Sequence, residues 1–363
     1  MTEHRHHDVV CEWGGLARRG RRAGSIFSNH SKKTKSDEPR AATLVAATPS
    51  SQVRKVLLPK QCRQEPGLDE ESAALLTKTD SPPRYHPGLS NPHSTLSEEN
   101  FIMAVFTHSS GQHLQVDDAK IYFEISGNPD GMPLLLLHGG MGKLTDFNGI
   151  VDRLPSRFKF VGMDLRGHGK STLGTSRLSY QQHQADADAV LAHLNIERFS
   201  LLGFSDGGVT ALRMAAETPS RVNALVAVAA HGQMDPHDPV LPILRGMTAE
   251  KWQARFPESV SYYMANNPEP DFAALLKAVV SLWTDIEHSA YPGATIKRIS
   301  APTLVVRGDA DHLFSLASAI ELRDRIQGAG FLNIPFAGHE VYQDAPGLFL
   351  EAVNEFLVKR GGN

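Results

Sequence analysis

The chain has 363 residues, 41% of them hydrophobic and 21% charged, with a formal net charge of -3. That length suits one large domain with an appendage, or two domains, and the near-neutral balance without a long basic face argues against nucleic-acid binding. Cys11 and Cys62 are the only cysteines, which excludes a disulfide framework and a cysteine metal site, and no stretch approaches the roughly 18–20 apolar residues needed to span a bilayer.

Residues 1–102 are rich in Ser, Pro, Lys and Arg and show little apolar periodicity. Such a composition buries no core of its own, and a disordered N-terminal extension is expected. Arg18, Arg19, Arg21 and Arg22 suggest an export or transit signal, but no apolar core follows them, segment 41–47 is too short, and Glu3, Asp8 and Glu12 do not suit a presequence. A cytoplasmic chain without membrane attachment is the expectation. His4, His6 and His7 lack supporting ligands and read as a solvated tail. Met103 stands where the globular pattern begins, so the upstream residues are expected to be dispensable for activity.

From about residue 113 the pattern changes. Segment 120–126 alternates like a strand, and 133–137 is a continuous apolar run typical of a strand covered on both faces. Helical spacing follows over 144–154, then a strand over 158–163 and an amphipathic helix over 180–194. A buried strand at 199–202 runs into Gly203-Phe204-Ser205-Asp206-Gly207-Gly208, and a helix follows over 209–216. Further strands are expected at 222–229, 303–307 and 331–335, with helices at 316–326 and 348–358. Strands alternating with helices imply a mostly parallel sheet with helices on both faces. The interruption over 231–299 is too long for a simple connection. It carries helical patterns at 249–256, 260–266 and 272–284, with Trp252, Tyr262, Tyr263 and Trp283 among them, and is expected to form a helical cap that covers the site and excludes water.

A serine between glycines on a strand-to-helix turn is the arrangement that exposes a nucleophilic hydroxyl at a sheet edge. Gly203 and Gly207 flank Ser205 because a Cβ at either place would collide across the bend. A serine hydroxyl also needs a base, the base an orienting carboxylate, and the oxyanion fixed donors. His339 follows the strand at 331–335 and is the candidate base. Asp311 follows the strand at 303–307 and is the candidate acid; Asp309 is the rival, with a turn-forming role open to it. His312 reads as a loop residue. The chain order Ser205, Asp311, His339 is the one expected of this architecture. The oxyanion donors are expected to be the backbone N–H of Asp206 and one from the turn His138-Gly139-Gly140-Met141-Gly142, with Gly140 the first choice and Met141 the second. Gly169-Lys170-Ser171 imitates the end of a phosphate loop, but Asp164 stands where that loop requires glycine, so a turn structured by Gly and Asp is expected there. No dinucleotide fingerprint or metal-ligand helix is present, and no cofactor is expected.

Taken together, His138-Gly139-Gly140, Asp164-x-Arg166-Gly167-His168-Gly169-x-Ser171, the Gly203–Gly207 elbow, Gly308-x-x-Asp311 and Gly338-His339 resemble the α/β-hydrolase superfamily over about residues 113–360. The resemblance implies an α/β-hydrolase domain over 103–363 with a cap insertion at 231–299, and it favours Asp311 as the acid. Serine at 205 argues against the epoxide hydrolases and haloalkane dehalogenases, which carry aspartate there. Asp206, directly after the serine, is similar to the acid of valacyclovir-hydrolase-like α-amino-acid ester hydrolases, where it recognises the substrate ammonium. A plain helix N-terminal role for Asp206, its side chain turned away, is the competing reading. Proline iminopeptidases resemble the chain less well, since they have proline in place of Met141 and a different elbow.

The expected activity is cleavage of a small carboxylic ester through an acyl-enzyme, with aminoacyl esters as candidate substrates. Amidase or peptidase, lactonase, carbon–carbon bond hydrolase and cofactor-free haloperoxidase chemistry on the same fold are the alternatives within enzymes. A non-catalytic ligand-binding protein on a hydrolase fold is the alternative outside them.

Overall fold

The computed structural model describes residues 105–361, so the expectations for residues 1–102 and for Met103 lie outside the described residues. Eight strands form one sheet in the order β1-β2-β4-β3-β5-β6-β7-β8. They are β1 (Gln112–Val116), β2 (Ala119–Gly127), β3 (Met132–Leu137), β4 (Phe158–Met163), β5 (Phe199–Phe204), β6 (Val222–Val228), β7 (Thr303–Gly308) and β8 (Gly330–Ile334). β2 is antiparallel to both its neighbours, and every pair from β4 to β8 is parallel.

The leucine run of β3 shows why a continuous apolar string becomes a strand here. Leu134 and Leu136 point into one core with Phe106, Phe158 and the helix α9 (Pro346–Arg360) residues Phe349, Val353 and Leu357. Leu135 and Leu137 point into the other, with Leu201, Val190 of α1 (Tyr180–His193) and Leu212 of α2 (Asp206–Glu217). Both faces are covered by helices, so no polar alternation survives. β2 departs from the alternation expected of it: Ile121 through Glu124 are all buried, because strands flank it on both edges and layers cover both faces. β1 was not anticipated. It is a half-buried edge strand in which Leu114 and Val116 pack against the core.

The helical spacing over 144–154 resolves into two 3-10 segments, Leu144–Gly149 and Val151–Arg153, not an α-helix. Asp146 accepts a hydrogen bond from the Lys143 N–H at 2.9 Å and ties the first turn to its own start, while Ile150 leaves helical geometry and divides the two.

Between β6 and β7 the chain forms α3 (Leu241–Arg245), α4 (Ala249–Arg255), α5 (Pro257–Asn266) and α6 (Phe272–Thr284). Asp271 caps α6 by accepting from the Ala274 N–H, and Phe272, Leu275, Leu276, Val279 and Leu282 form its buried stripe at helical spacing. After β7 come α7 (Leu316–Arg325), β8, the short α8 (Val341–Asp344) and α9. Among the described residues no helix is long and apolar enough to cross a membrane.

Candidate active site

Ser205 sits between the end of β5 and the start of α2 with φ 50° and ψ -116°, a conformation that costs a non-glycine residue of order 1–3 kcal/mol and is tolerated where the surroundings enforce it. The enforcement is visible. The Ser205 N–H donates to Val228 O at 2.9 Å, its carbonyl accepts from Val209 N–H at 2.9 Å, and Gly207 N–H donates to His138 O at 3.0 Å. A Cβ on Gly203 would lie 2.3 Å from Gly207 O, and one on Gly207 would lie 2.1 Å from Leu137 O. These are backbone atoms that cannot swing aside, which accounts for both glycines at the bend.

The loops after β7 and β8 meet this turn. His339 Nε2 lies 3.1 Å from Ser205 Oγ, and His339 Nδ1 lies 2.9 Å from Asp311 Oδ2. Asp311 Oδ1 accepts from the N–H groups of Leu313 and Phe314 at 2.8 and 3.0 Å. Burial pushes the Asp311 carboxyl up, but His339 and those backbone donors outweigh it and hold the group below its ordinary value. Burial alone would lower His339; the Asp311 charge and hydrogen bond dominate and raise it.

Asp309 does not meet the imidazole. Its Oδ1 accepts from the Phe336 N–H at 2.7 Å, and Asp344 Oδ2 accepts from the Gly338 N–H at 2.7 Å. Two carboxylates thus hold the loop that carries His339, one on each side of Ala337. Beneath the acid loop, the buried Arg307 guanidinium donates to the carbonyls of Phe314 and Asp311 at 3.1 Å each. His312 is exposed beside the acid. A turn-forming role for Asp309 was open in the sequence, but its partner Phe336 lies 27 residues away; the roles of Asp344 and Arg307 were not anticipated.

Gly142 N–H donates to Gly139 O at 3.1 Å and closes the turn after β3, with Met141 at φ 63°. The N–H groups of Gly140, Met141 and Asp206 have no acceptor among the described residues, as donors reserved for a ligand oxygen require. His138 underpins the turn: its Nδ1 meets Gly139 O at 2.7 Å and its Nε2 accepts from Leu165 N–H at 2.9 Å. The segment that imitates a phosphate loop is a turn built on Asp164, which accepts from the N–H groups of Leu144 and Lys170 and meets His108 Nε2 at 2.5 Å. Gly169 has φ +49°, and a Cβ there would lie 2.2 Å from Asp164 Oδ2.

The Asp206 side chain is not turned out to solvent. It is 3% exposed, and its Oδ1 accepts from Tyr180 Oη at 2.9 Å. The Trp283 indole N–H is shared between Oδ1 at 3.0 Å and Oδ2 at 2.9 Å. Tyr291 Oη lies 3.4 Å from Tyr180 Oη. Burial raises the Asp206 carboxyl, and the Trp283 and Tyr180 bonds partly oppose that rise. A Cβ on Gly140 would lie 2.4 Å from Asp206 Oδ2 and 2.7 Å from Trp283 Cζ2, so carboxylate and indole lie directly against the turn after β3. Tyr180, Tyr291 and Trp283 come from α1, the loop after α6 and α6 itself. Trp283 stood out in the sequence as a cap aromatic, but nothing local tied it to Asp206.

A serine, histidine and carboxylate in hydrogen-bonded series, on loops at the carboxyl edge of a doubly covered sheet, define a hydrolase of the α/β class. Residues 132–283 match the family described as alpha/beta hydrolase fold. The chain is 30% identical over 243 residues to the serine hydrolase BPHL of Mus musculus, covering 62% of this chain and 78% of that protein. It superposes on the meta-cleavage product hydrolase of Pseudomonas fluorescens IP01 with a TM-score of 0.60 at 20% identity, covering 69% of this chain and 98% of that one. The enol-lactonase of Burkholderia xenovorans LB400 gives a TM-score of 0.54 at 20% identity, covering 68% and 99%. The chain belongs to the α/β-hydrolase family and is a hydrolytic enzyme.

Proposed function

We propose that this protein is a serine hydrolase that cleaves small carboxylic esters through an acyl-enzyme, with α-amino-acid esters as preferred substrates. The observation that carries the chemistry is the unbroken series Asp311 Oδ2, His339 Nδ1, His339 Nε2, Ser205 Oγ, with spacings of 2.9 and 3.1 Å. His339 takes the hydroxyl proton as Ser205 attacks the carbonyl, then delivers it to the leaving alcohol. Asp311 holds the imidazole tautomer and stabilises its cation. The N–H of Asp206 and one from Gly140 or Met141 receive the oxyanion. Water then attacks the acyl-enzyme with His339 again as base.

The preference for an ammonium rests on the placement of Asp206. A buried carboxylate against the oxyanion turn opposes the negative charge that develops there. A cation alpha to the scissile carbonyl removes that conflict by lying between the two and making charge-assisted hydrogen bonds to the carboxylate. The similarity to the Mus musculus serine hydrolase supports hydrolase chemistry by an activated serine.

The test compares L-phenylalanine methyl ester with methyl 3-phenylpropionate, the same skeleton without the ammonium. Wild type is expected to favour the first, and Asp206→Asn to lose most of that preference. Ser205→Ala is expected to lose nearly all turnover of both and to resist a fluorophosphonate label that the wild type takes up. Unchanged turnover by Ser205→Ala would overturn the mechanism; an unchanged preference in Asp206→Asn would overturn the substrate class.

A further inference from the structure

The carboxylate of Asp206 has two hydrogen-bond donors of different kinds. Tyr180 belongs to α1, is fully buried in the sheet-side core, and donates to Oδ1 only. Trp283 belongs to the cap helix α6, is half-buried, and shares a single N–H between both oxygens. A buried carboxylate must be satisfied or it destabilises the fold, and these two residues satisfy it. Only one of them can leave cheaply. Tyr180 is locked by core packing, whereas the indole sits at the edge of the α6 stripe, beside Trp252 at a ring separation of 6.4 Å.

The shared N–H also occupies the wrong place for a substrate. Oδ2 and the indole ring both lie against Gly140, next to the position of the scissile carbonyl. A cation that reaches Oδ2 from that side competes with the indole N–H for the same oxygen. An ammonium carries a full positive charge and three donors, so it adds ion-pair attraction to the carboxylate that the neutral indole N–H does not supply. The exchange therefore favours the ammonium, while a neutral ester has nothing to offer the carboxylate and leaves the indole in place.

We propose that Trp283 is a specificity-determining latch: its indole N–H ties α6 to Asp206 and is displaced by the substrate's ammonium. This rests on the reading of Asp206 as the ammonium site. It adds that charge recognition and release of α6 are one event, so selectivity is set by the donor that is displaced as well as by the acid that is bound.

Trp283→Phe keeps the ring and removes the donor. The ratio of kcat/KM for L-phenylalanine methyl ester over methyl 3-phenylpropionate is expected to rise about three- to tenfold, the size of one lost shared hydrogen bond, through a lower KM for the ammonium ester. A ratio that falls or stays unchanged would overturn the latch. A second measurement keeps the indole in place. In Ser205→Ala carrying Trp13→Phe and Trp252→Phe, Trp283 is the only tryptophan. Its emission is expected to change saturably with L-phenylalanine methyl ester and not with methyl 3-phenylpropionate. No change with the ammonium ester, or an equal change with both esters, would overturn the latch. If wild type prefers the ammonium ester and Asp206→Asn abolishes the preference while Trp283 fails both tests, the latch alone is wrong. If wild type shows no preference, the reading of Asp206 falls and the latch with it.

Discussion

At Asp311 two forces act in opposite directions. Burial raises the carboxyl, while the imidazole and the N–H groups of Leu313 and Phe314 lower it further. The same pairing raises His339. In the proposed mechanism His339 must be neutral to accept the serine proton, so activity is expected to be lost as pH falls through its pKa. Asp311→Asn removes the charge that raises it. The acid limb of the kcat/KM profile is therefore expected to move to lower pH, while kcat drops on the order of 10^4-fold, the magnitude seen when the acid of such a triad becomes an amide. A limb that stays in place would show that Asp311 does not set the His339 pKa. Asp309 differs only in reach: its oxygen is spent on the Phe336 N–H. Both acids were visible in the sequence, and the resemblance to the α/β-hydrolases favoured Asp311. The partner of each was settled by where β8 delivers its loop.

At the scale of elements, the site is a junction of four strand ends. β3 and β5 are neighbours, with Leu137 opposite Gly203, and β7 lies beside β8, with Gly308 opposite Ile334. The glycines make the junction close. Gly203→Ala is expected to push β5 away from α2, because its Cβ would meet the Gly207 carbonyl at 2.3 Å. The cost should be about 1–3 kcal/mol of stability, as for other overpacking, with an activity loss larger than the unfolded fraction explains. Urea titration and turnover per folded molecule would measure both, and a variant with wild-type turnover would contradict the packing argument. Most strands were readable in advance because a doubly covered strand demands an unbroken apolar run, as in β3. β1 escaped notice because an edge strand buries only Leu114 and Val116, and the 3-10 segments after β3 escaped because hydrophobic spacing does not distinguish them from an α-helix.

Across the described fold, buried histidines contribute to the response to acid alongside the carboxyls held low. His138, His168 and His183 are buried, and burial lowers the pKa of each, that of His168 from 6.5 to about 3. They stay neutral in the fold while the unfolded chain takes up protons below the ordinary value. Their contribution to stability is therefore complete above about pH 6.5 and is lost progressively as pH falls toward the folded-state values. Among the described residues neither ring nitrogen of His183 has a hydrogen-bond partner, so this side chain already costs desolvation at neutral pH. His183→Leu, of similar volume, is expected to gain roughly 1 kcal/mol at pH 7.5 and more at pH 5. Urea midpoints at the two pH values test this; a loss at both would mean that the ring makes a contact worth more than its burial costs.

Local pattern by itself marked every strand but β1, the glycines of the elbow, and Ser205, His339 and the two acids as candidates. These depend on residues adjacent in the chain: apolar runs between turns, small residues where a Cβ cannot fit, and polar residues just past strand ends. Tertiary structure decided what Asp206 touches. Its donors lie 26 and 77 residues away, on α1 and α6, and no periodicity within either helix encodes that meeting. A hydrogen bond is specified by two groups at once. The sequence displays each group separately, and only the packing of the cap against the sheet edge brings the Trp283 indole to the carboxylate beside Ser205.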